Sequence, residues 1–217
     1  MTKVLVVDDH DLVRMGISRM LADVDGIEVI GEASSGEEAL DFCRQTEVDV
    51  ILMDVKMPGM GGLEATRKLL HRWPQMKVIA VSALDDDLFP GRMLKAGAWG
   101  YLTKGTQLKE MIVAIRTVVA GKMHITRDVA VKLAVRNMGG KLANASPFDK
   151  LSERELQAAV MIVNGMKVAE IANTMSVSSK TVNSYRYRIF AKLDIQSDVE
   201  LALLAVKHQL LDPEAAL

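Results

Sequence analysis

The sequence has a single cysteine, Cys43, in 217 residues. No intramolecular disulfide can form, which excludes a disulfide-stapled scaffold and fits a reducing compartment. Neither sign of charge is in excess: 27 basic residues stand against 28 acidic ones, a formal net charge of −1. The molecule as a whole is therefore no partner for polyanions, and any such surface must be local. Long apolar runs are also missing. The run at residues 4–7 is far short of a signal-peptide core, and nothing approaches the roughly 18 apolar residues of a membrane span. A cytoplasmic protein without a membrane partner is the expectation. The chain is 49% hydrophobic and 25% charged, which leaves no case for disorder or a collagen-like repeat. At roughly 150 residues per domain the length allows two modest domains.

The first half alternates two periodicities. Apolar β-rich runs occur at residues 3–7, 27–32, 49–53, 77–81 and 99–102, each bounded by Asp, Gly, Ser or Pro. Between them, apolar residues recur at helical spacing, as in Val13, Ile17 and Leu21, in Ala39, Leu40 and Cys43, and in Leu63, Thr66, Leu69 and Leu70. A short helix opens at Pro90 and closes at Gly97, and a last one carries Leu108, Ile112, Ile115 and Val119. Five strands interleaved with helices predict a doubly wound α/β domain with a five-stranded parallel sheet, because each right-handed crossover needs a helix. This domain is expected to occupy residues 1–121.

In such a sheet, ligands bind beyond the carboxyl ends of the strands, where strand order reverses. Asp8 and Asp9 follow the first run, Asp54 closes the third, Ser82 the fourth, and Lys104 follows the fifth. Any one of them alone reads as a helix cap, a turn former or a solvated lysine. Their convergence on one edge argues for a site. Crowded carboxylates resist ionisation unless a cation sits among them, and two or three carboxylates with water and a carbonyl suit Mg²⁺. Asp54 is then a candidate nucleophile toward a phosphoryl group, with Lys104 neutralising its oxygens and Ser82 donating a hydrogen bond. The four histidines, His10, His71, His124 and His208, are scattered and show no metal-ligand spacing. Cys43, on the inner face of its helix, and the 14 methionines read as core.

Residues 4–9 (VLVVDD), 51–60 (ILMDVKMPGM) and 97–104 (GAWGYLTK) resemble the receiver domain of two-component response regulators. The resemblance spans nearly the whole first domain and implies a flavodoxin-like fold. It further implies that Asp54 accepts a phosphoryl group from a sensor histidine kinase, and that Asp8, Asp9, Asp54 and the backbone carbonyl of Lys56 hold Mg²⁺. Ser82 and Tyr101 would form the switch, the hydroxyl moving to the phosphoryl and the ring following inward. The added charge must bias a bistable face at residues 83–101, within which Asp85, Asp86 and Asp87 read as a solvated loop.

Residues 122–147 read as a linker with a short helix at Arg127–Asn137, striped by Val131, Leu133 and Ala134. Gly139, Gly140, Ser146 and Pro147 make its remainder flexible. The formal glycosylation sequon at Asn144 is chance in a cytoplasmic protein.

Residues 148–217 predict an all-α domain of four helices. Ser152 with Glu155 and Ser197 with Glu200 are capping-box pairs. Ile171, Ala172, Met175, Val177, Val182 and Tyr185 have helix-turn-helix spacing, although Ser176 stands where such turns often carry Gly. On the third helix Val182, Ile189 and Leu193 face inward. Opposite lie Lys180, Ser184, Tyr187 and Arg188, with Thr181 and Asn183 on the flanks. Lys180, Arg186, Arg188 and Lys192, with no acid among them, suit phosphate contact. Asn183, Ser184 and Tyr187 are placed to reach base edges, and Lys180 and Thr181 to hold the backbone.

From residue 151 to 197 (LSERELQ to TVNSYRYRIFAKLDIQS) the sequence resembles the LuxR-type output domain, and the whole chain resembles the NarL/FixJ class of response regulators. That resemblance implies a transcription regulator rather than an enzyme. It also implies a sensor kinase of the hybrid type, genes for small regulatory RNAs as targets, and a homodimer on paired half-sites of double-stranded promoter DNA. Dimerisation would use the fourth helix through Val199, Leu203, Val206 and Leu210. In the free state the receiver of this class can cover the third helix. Two other readings stay open on the residues alone: a hydrolase of external phosphoesters, and an interaction module with a degenerate output domain.

Overall fold

The computed structural model describes residues 1–82, 88–137, 146–208 and 210. The expected acidic loop at Asp85–Asp87, the flexible Gly139 and Gly140, and Asn144 lie outside the described residues.

The runs at residues 4–7 and 50–54 are apolar without alternation, so a strand made from them must be covered on both faces. Both lie in a parallel sheet of order β2-β1-β3-β4-β5-β6. Its strands are β1 (Thr2–Val7), β2 (Ile27–Ala33), β3 (Val50–Asp54), β4 (Lys77–Ser82), β5 (Gly100–Thr103) and β6 (His124–Ile125). The crossovers run through α1 (Asp11–Leu21), α2 (Gly36–Gln45), α3 (Gly61–Arg72), α4 (Pro90–Lys95) and α5 (Leu108–Val119). One face of the sheet packs Val4, Val6, Leu52 and Val81 with Ile17, Leu21, Ile115 and Val118. The other packs Leu5, Ile51 and Met53 with Ala39, Cys43 and Leu69. Strand order reverses between β1 and β3, which sets Asp8 and Asp54 side by side.

Among the described residues the sheet has six strands rather than the expected five. β6 adds only two residues, His124 beside Gly100 and Ile125 beside Tyr101, too few to show any period in sequence, and it carries the sheet past residue 121.

The second half contains α6 (Arg127–Asn137), a 3₁₀ turn at Pro147–Lys150, and four helices: α7 (Glu153–Val163), α8 (Val168–Met175), α9 (Ser179–Leu193) and α10 (Asp198–Lys207). Ser152 and Glu155 form the full capping box, whereas Ser197 caps its helix but the Glu200 side chain accepts from Gln196 N–H and not from Ser197 N–H. Ser152 N–H donates to Glu155 Oε2 at 2.7 Å while Glu155 N–H donates to Ser152 Oγ at 3.3 Å, and Ser197 Oγ accepts from Glu200 N–H at 3.2 Å. Ser176, in the α8–α9 turn, takes the left-handed conformation with φ 56°. A serine thus fills the position where glycine would be easier.

The two halves share one continuous core that includes Met57, Met60 and Met93 together with Phe148, Leu156 and Met161. Polar contacts line this junction. Asn164 Nδ2 donates to Met57 O at 3.4 Å, and Arg92 Nη2 donates to the carbonyls of Phe148 and Leu151, both at 3.2 Å. Arg67 Nη1 donates to Gln157 Oε1 at 3.2 Å, and Arg154 Nη1 lies 3.5 Å from Glu64 Oε2. Glu64 and Gln157 are buried there. Burial raises the Glu64 pKa, and the nearby Arg154, Arg67 and Lys68 only partly oppose it.

A carboxylate with a raised folded-state pKa favours the fold at low pH and loses that contribution as pH rises through the folded value. Glu64→Gln, which keeps the shape without the charge, is therefore expected to gain on wild type as pH rises. The difference in Tm between variant and wild type should therefore shift in favour of the variant between pH 5 and pH 8. Melting both proteins at pH 5 and pH 8 checks it; a difference that shrinks with rising pH contradicts the assignment.

Candidate functional site

Register builds the acidic rim. Val7 pairs with Met53 across β1 and β3, so the next residue of each strand, Asp8 and Asp54, meet at the carboxyl edge. Both are almost fully buried, at 1% and 2% exposure. Lys104 Nζ bridges them, 2.9 Å from Asp8 Oδ2 and 3.0 Å from Asp54 Oδ2. Its backbone is pinned by Lys104 N–H donating to Ser82 O at 2.7 Å. Burial, reinforced by the negative charge of Asp8, pushes the Asp54 pKa up to about 7 against the pull of Lys104. Burial works against the Lys104 ammonium, but attraction to Asp54 and hydrogen bonds to both carboxylates outweigh it and its pKa is raised.

The loop after Asp54 is held tightly. Lys56 N–H donates to Asp54 Oδ1 at 3.3 Å, and Met60 N–H donates to Glu37 Oε1 at 3.1 Å. Gly62 N–H donates to Val55 O at 3.1 Å, and a Cβ on Gly62 would stand 2.0 Å from the carbonyl oxygen of Asp54. Backbone atoms cannot yield as a flexible side chain does. Gly62→Ala is expected to cost roughly 3 kcal/mol of stability and to displace the Asp54 backbone, read as a lowered Tm together with a shifted backbone amide resonance at Asp54. Normal values for both would show that the loop can relax.

Four residues around this rim, Asp8, Asp9, His10 and Asp54, each offer one ligand atom, all within 4.8 Å of one another. Buried carboxylates whose own charges raise the Asp54 pKa are the donor set a divalent cation would relieve. His10 corrects the reading of the histidines as scattered: its Nδ1 lies 2.9 Å from Asp9 Oδ1 and 3.3 Å from Asp8 Oδ1. The signal was its adjacency to Asp9, which a search for spacing between histidines passes over. Arg14 was also missed; its Nη1 donates to Asp8 O at 2.7 Å and helps fix the β1 end. Ser82 closes β4, the neighbour of β3, and Tyr101 pairs with Ala80 one strand further on. Both side chains are buried, so the Tyr101 ring is already inward in this structure.

The helix-turn-helix forms a second candidate surface. Val182, Ile189 and Leu193 are buried as expected, while Lys180, Asn183, Tyr187 and Arg188 are exposed on α9, Tyr187 at 74%. Thr181 and Ser184 lie on this face but are partly engaged locally: Ser184 Oγ donates to Lys180 O at 2.9 Å, and Thr181 Oγ1 lies 2.9 Å from Ser178 Oγ. The basic character of α9 divides in two. Arg186 pairs with Asp198, and Lys192 Nζ lies 2.6 Å from Glu155 Oε2. Among the described residues, Lys180 and Arg188 make no ion pair. The first domain docks through α3 on α7 and through Arg92 of α4 on the 3₁₀ turn, and it leaves the outer face of α9 uncovered.

On α10, Val199, Leu203 and Val206 are exposed at one helical stripe. Leu210 does not join them. The helix ends at Lys207, Leu210 N–H donates back to Ala205 O at 2.8 Å, and the leucine is buried.

Known proteins share both halves. Residues 4–116 match the family model described as "Response regulator receiver domain", and residues 149–205 match "Bacterial regulatory proteins, luxR family". The response regulator GacA of Pseudomonas syringae pv. syringae is 59% identical over 215 residues, covering 99% of this chain and 100% of that protein. The response regulator UvrY of Escherichia coli is 49% identical over 214 residues, covering 99% and 98%. Among solved structures, RcsB of Salmonella enterica serovar Typhimurium, bound to promoter rprA with a phosphomimetic, shares the fold. It has a TM-score of 0.69 at 21% identity and covers 95% of this chain and 99% of that one.

Proposed function

The chain belongs to the DNA-binding response regulators, with a receiver domain and a LuxR-type output domain, and from that premise we propose that Asp54 is its phosphoacceptor and the outer face of α9 its promoter-reading surface. The observation that carries the first assignment is the buried pair Asp8 and Asp54 bridged by Lys104. The kinase is a sensor histidine kinase of the hybrid type, a reading supported by the likeness to GacA and UvrY. The receiver ends after β6 and the output domain begins at the 3₁₀ turn. Among the described residues no helix is long and apolar enough to cross a membrane, and promoter binding assigns the work to the cytoplasm.

An Asp54 carboxylate oxygen attacks the phosphorus of the kinase's phosphohistidine, the P–N bond breaks, and an acyl phosphate forms on Asp54. Mg²⁺, held by Asp8, Asp9, Asp54 and the Lys56 carbonyl, would supply the positive charge that keeps Asp54 ionised and neutralises the transferring oxygens. Lys104, already in hydrogen-bond reach of Asp54, pairs with the new phosphoryl oxygens. Ser82 donates its hydroxyl to the phosphoryl and Tyr101 holds the ring position behind it.

The loop that begins at Val55 then carries the signal outward. Its Met57 carbonyl accepts from Asn164, which caps the end of α7, so a shift beside Asp54 acts directly on the junction with the output domain. Each tenfold change in the shifted population needs about 1.4 kcal/mol of differential contact. Repacking at the junction reorients the output domain so that the α10 stripes of two copies, already exposed, pair on adjacent half-sites.

Treating the protein with a small phosphodonor and Mg²⁺, then measuring promoter affinity, tests the scheme; unchanged affinity after confirmed Asp54 modification would remove the control mechanism. Leu203→Glu is expected to leave the fold intact, because Leu203 is 66% exposed, and to weaken cooperative binding to paired half-sites by about tenfold or more. Comparing one-site and two-site DNA separates the effects, and an equal loss on both would place α10 outside the dimer contact.

A further inference from the structure

We propose that His10 is a nitrogen ligand of the rim's metal site, so that the site favours a borderline divalent ion such as Mn²⁺ or Co²⁺ beyond what its carboxylates alone would give. The inference deepens the phosphoacceptor reading and rests on it.

The two oxygens of each buried carboxylate face different neighbours. Lys104 Nζ occupies the Oδ2 side of both, at 2.9 Å from Asp8 and 3.0 Å from Asp54. The Oδ1 side is where the other donors gather. His10 N–H donates to Asp8 Oδ1 at 2.9 Å, His10 Nδ1 stands 3.3 Å from the same oxygen, and Lys56 N–H donates to Asp54 Oδ1 at 3.3 Å. With the ammonium on one side, an ion is directed to the other, where the imidazole already lies 2.9 Å from Asp9 Oδ1.

The donor atoms of Asp8, Asp9, His10 and Asp54 span no more than 4.8 Å. Opposite ligands around an ion with bonds near 2.1 Å are about 4.2 Å apart, so a small contraction suffices. The His10 side chain is 42% exposed while its backbone is fixed by the Asp8 hydrogen bond. Its ring is thus free to turn without moving the strand end. An oxygen-only set suits Mg²⁺, whereas adding an imidazole shifts preference along the divalent series toward Mn²⁺, Co²⁺ and Zn²⁺. As a ligand the ring carries its hydrogen on Nε2 and presents Nδ1, so the Nδ1 contacts to Asp9 and Asp8 give way to the ion.

The test uses the full chain loaded with Mn²⁺ alone and electron spin-echo envelope modulation to detect ligating ¹⁴N. Wild type is expected to show imidazole nitrogen coupling, and His10→Ala to keep bound Mn²⁺ but lose the coupling. By calorimetry, His10→Ala is expected to lower Co²⁺ affinity about tenfold and Mg²⁺ affinity less than about threefold. Bound Mn²⁺ without nitrogen coupling, or an equal loss for both ions, overturns the proposal. Asp9→Asn separates the two levels. If it weakens Mn²⁺ binding while no nitrogen is seen, only the His10 role fails; if it leaves Mn²⁺ binding unchanged, the ion lies elsewhere and the reading of the rim as a metal site fails with it.

Discussion

Asp54→Asn is expected to take up no measurable phosphoryl group from acetyl phosphate, a loss of at least about a thousandfold. The amide preserves the volume at the end of β3 but removes the anionic oxygen that attacks phosphorus in the proposed mechanism. It also removes one of the two carboxylates on Lys104. Any gain in promoter affinity that wild type shows on treatment should vanish with it, because the charge and acceptor oxygens that bias the junction never arrive. Intact-mass measurement and DNA titration on the same samples check both. Phosphoryl found on the variant would move the acceptor elsewhere.

Stability should move the other way. The Asp54 pKa rises from 3.8 to about 7 on folding, chiefly through burial and then the charge of Asp8. A raised carboxylate pKa favours the folded state only while the group is protonated, so that contribution fades as pH climbs from about 4 to about 7. Measured without divalent cations, Asp54→Asn should match wild type near pH 4 and melt above it by pH 8. The variant most damaging to function is thus expected to be the more stable protein, as befits a site where charges are gathered for chemistry and not for the fold.

The rim was legible in sequence because it depends on local order: each acid or lysine immediately ends or follows a strand, and a doubly wound sheet brings strand ends to one edge. The junction between the halves was not. Met57 and Asn164, or Glu64 and Arg154, meet across a chain separation that leaves no periodic trace. β6 escaped for a related reason, since two residues beside β5 carry no alternation. Leu210 misled by the opposite route. Its spacing from Val206 continues the apolar stripe, but the helix stops at Lys207 and the chain folds the leucine into the core. His10 required only a different question, asking which groups neighbour Asp9 and not how far apart the histidines stand.

Charge on α9 shows the same limit and yields the sharpest test of the DNA-reading surface. Four basic residues look equivalent in sequence, but the fold separates them. Lys180→Ala and Arg188→Ala remove exposed cations, so each is expected to weaken binding to all DNA sequences alike and to reduce the salt slope by about 1. Asn183→Ala and Tyr187→Ala remove side chains aimed outward from the same face, and should cost about 1–3 kcal/mol of discrimination against mismatched sites while leaving the salt slope nearly unchanged.

Lys192→Ala should behave unlike any of these. Its ammonium holds Glu155, whose burial would raise its pKa but whose hydrogen bonds from Lys192 and Ser152 together lower it. A lowered carboxylate pKa stabilises above the unfolded value and is lost as pH falls. Lys192→Ala is therefore expected to lower Tm at neutral pH, with the deficit narrowing toward pH 4, and to alter the salt slope little. Fluorescence anisotropy at several salt concentrations, paired with melting curves, distinguishes the three classes. If Lys192→Ala changed the salt slope as much as Lys180→Ala, the helix would meet DNA along its whole basic length, and the ion pair with Glu155 would have to open on binding.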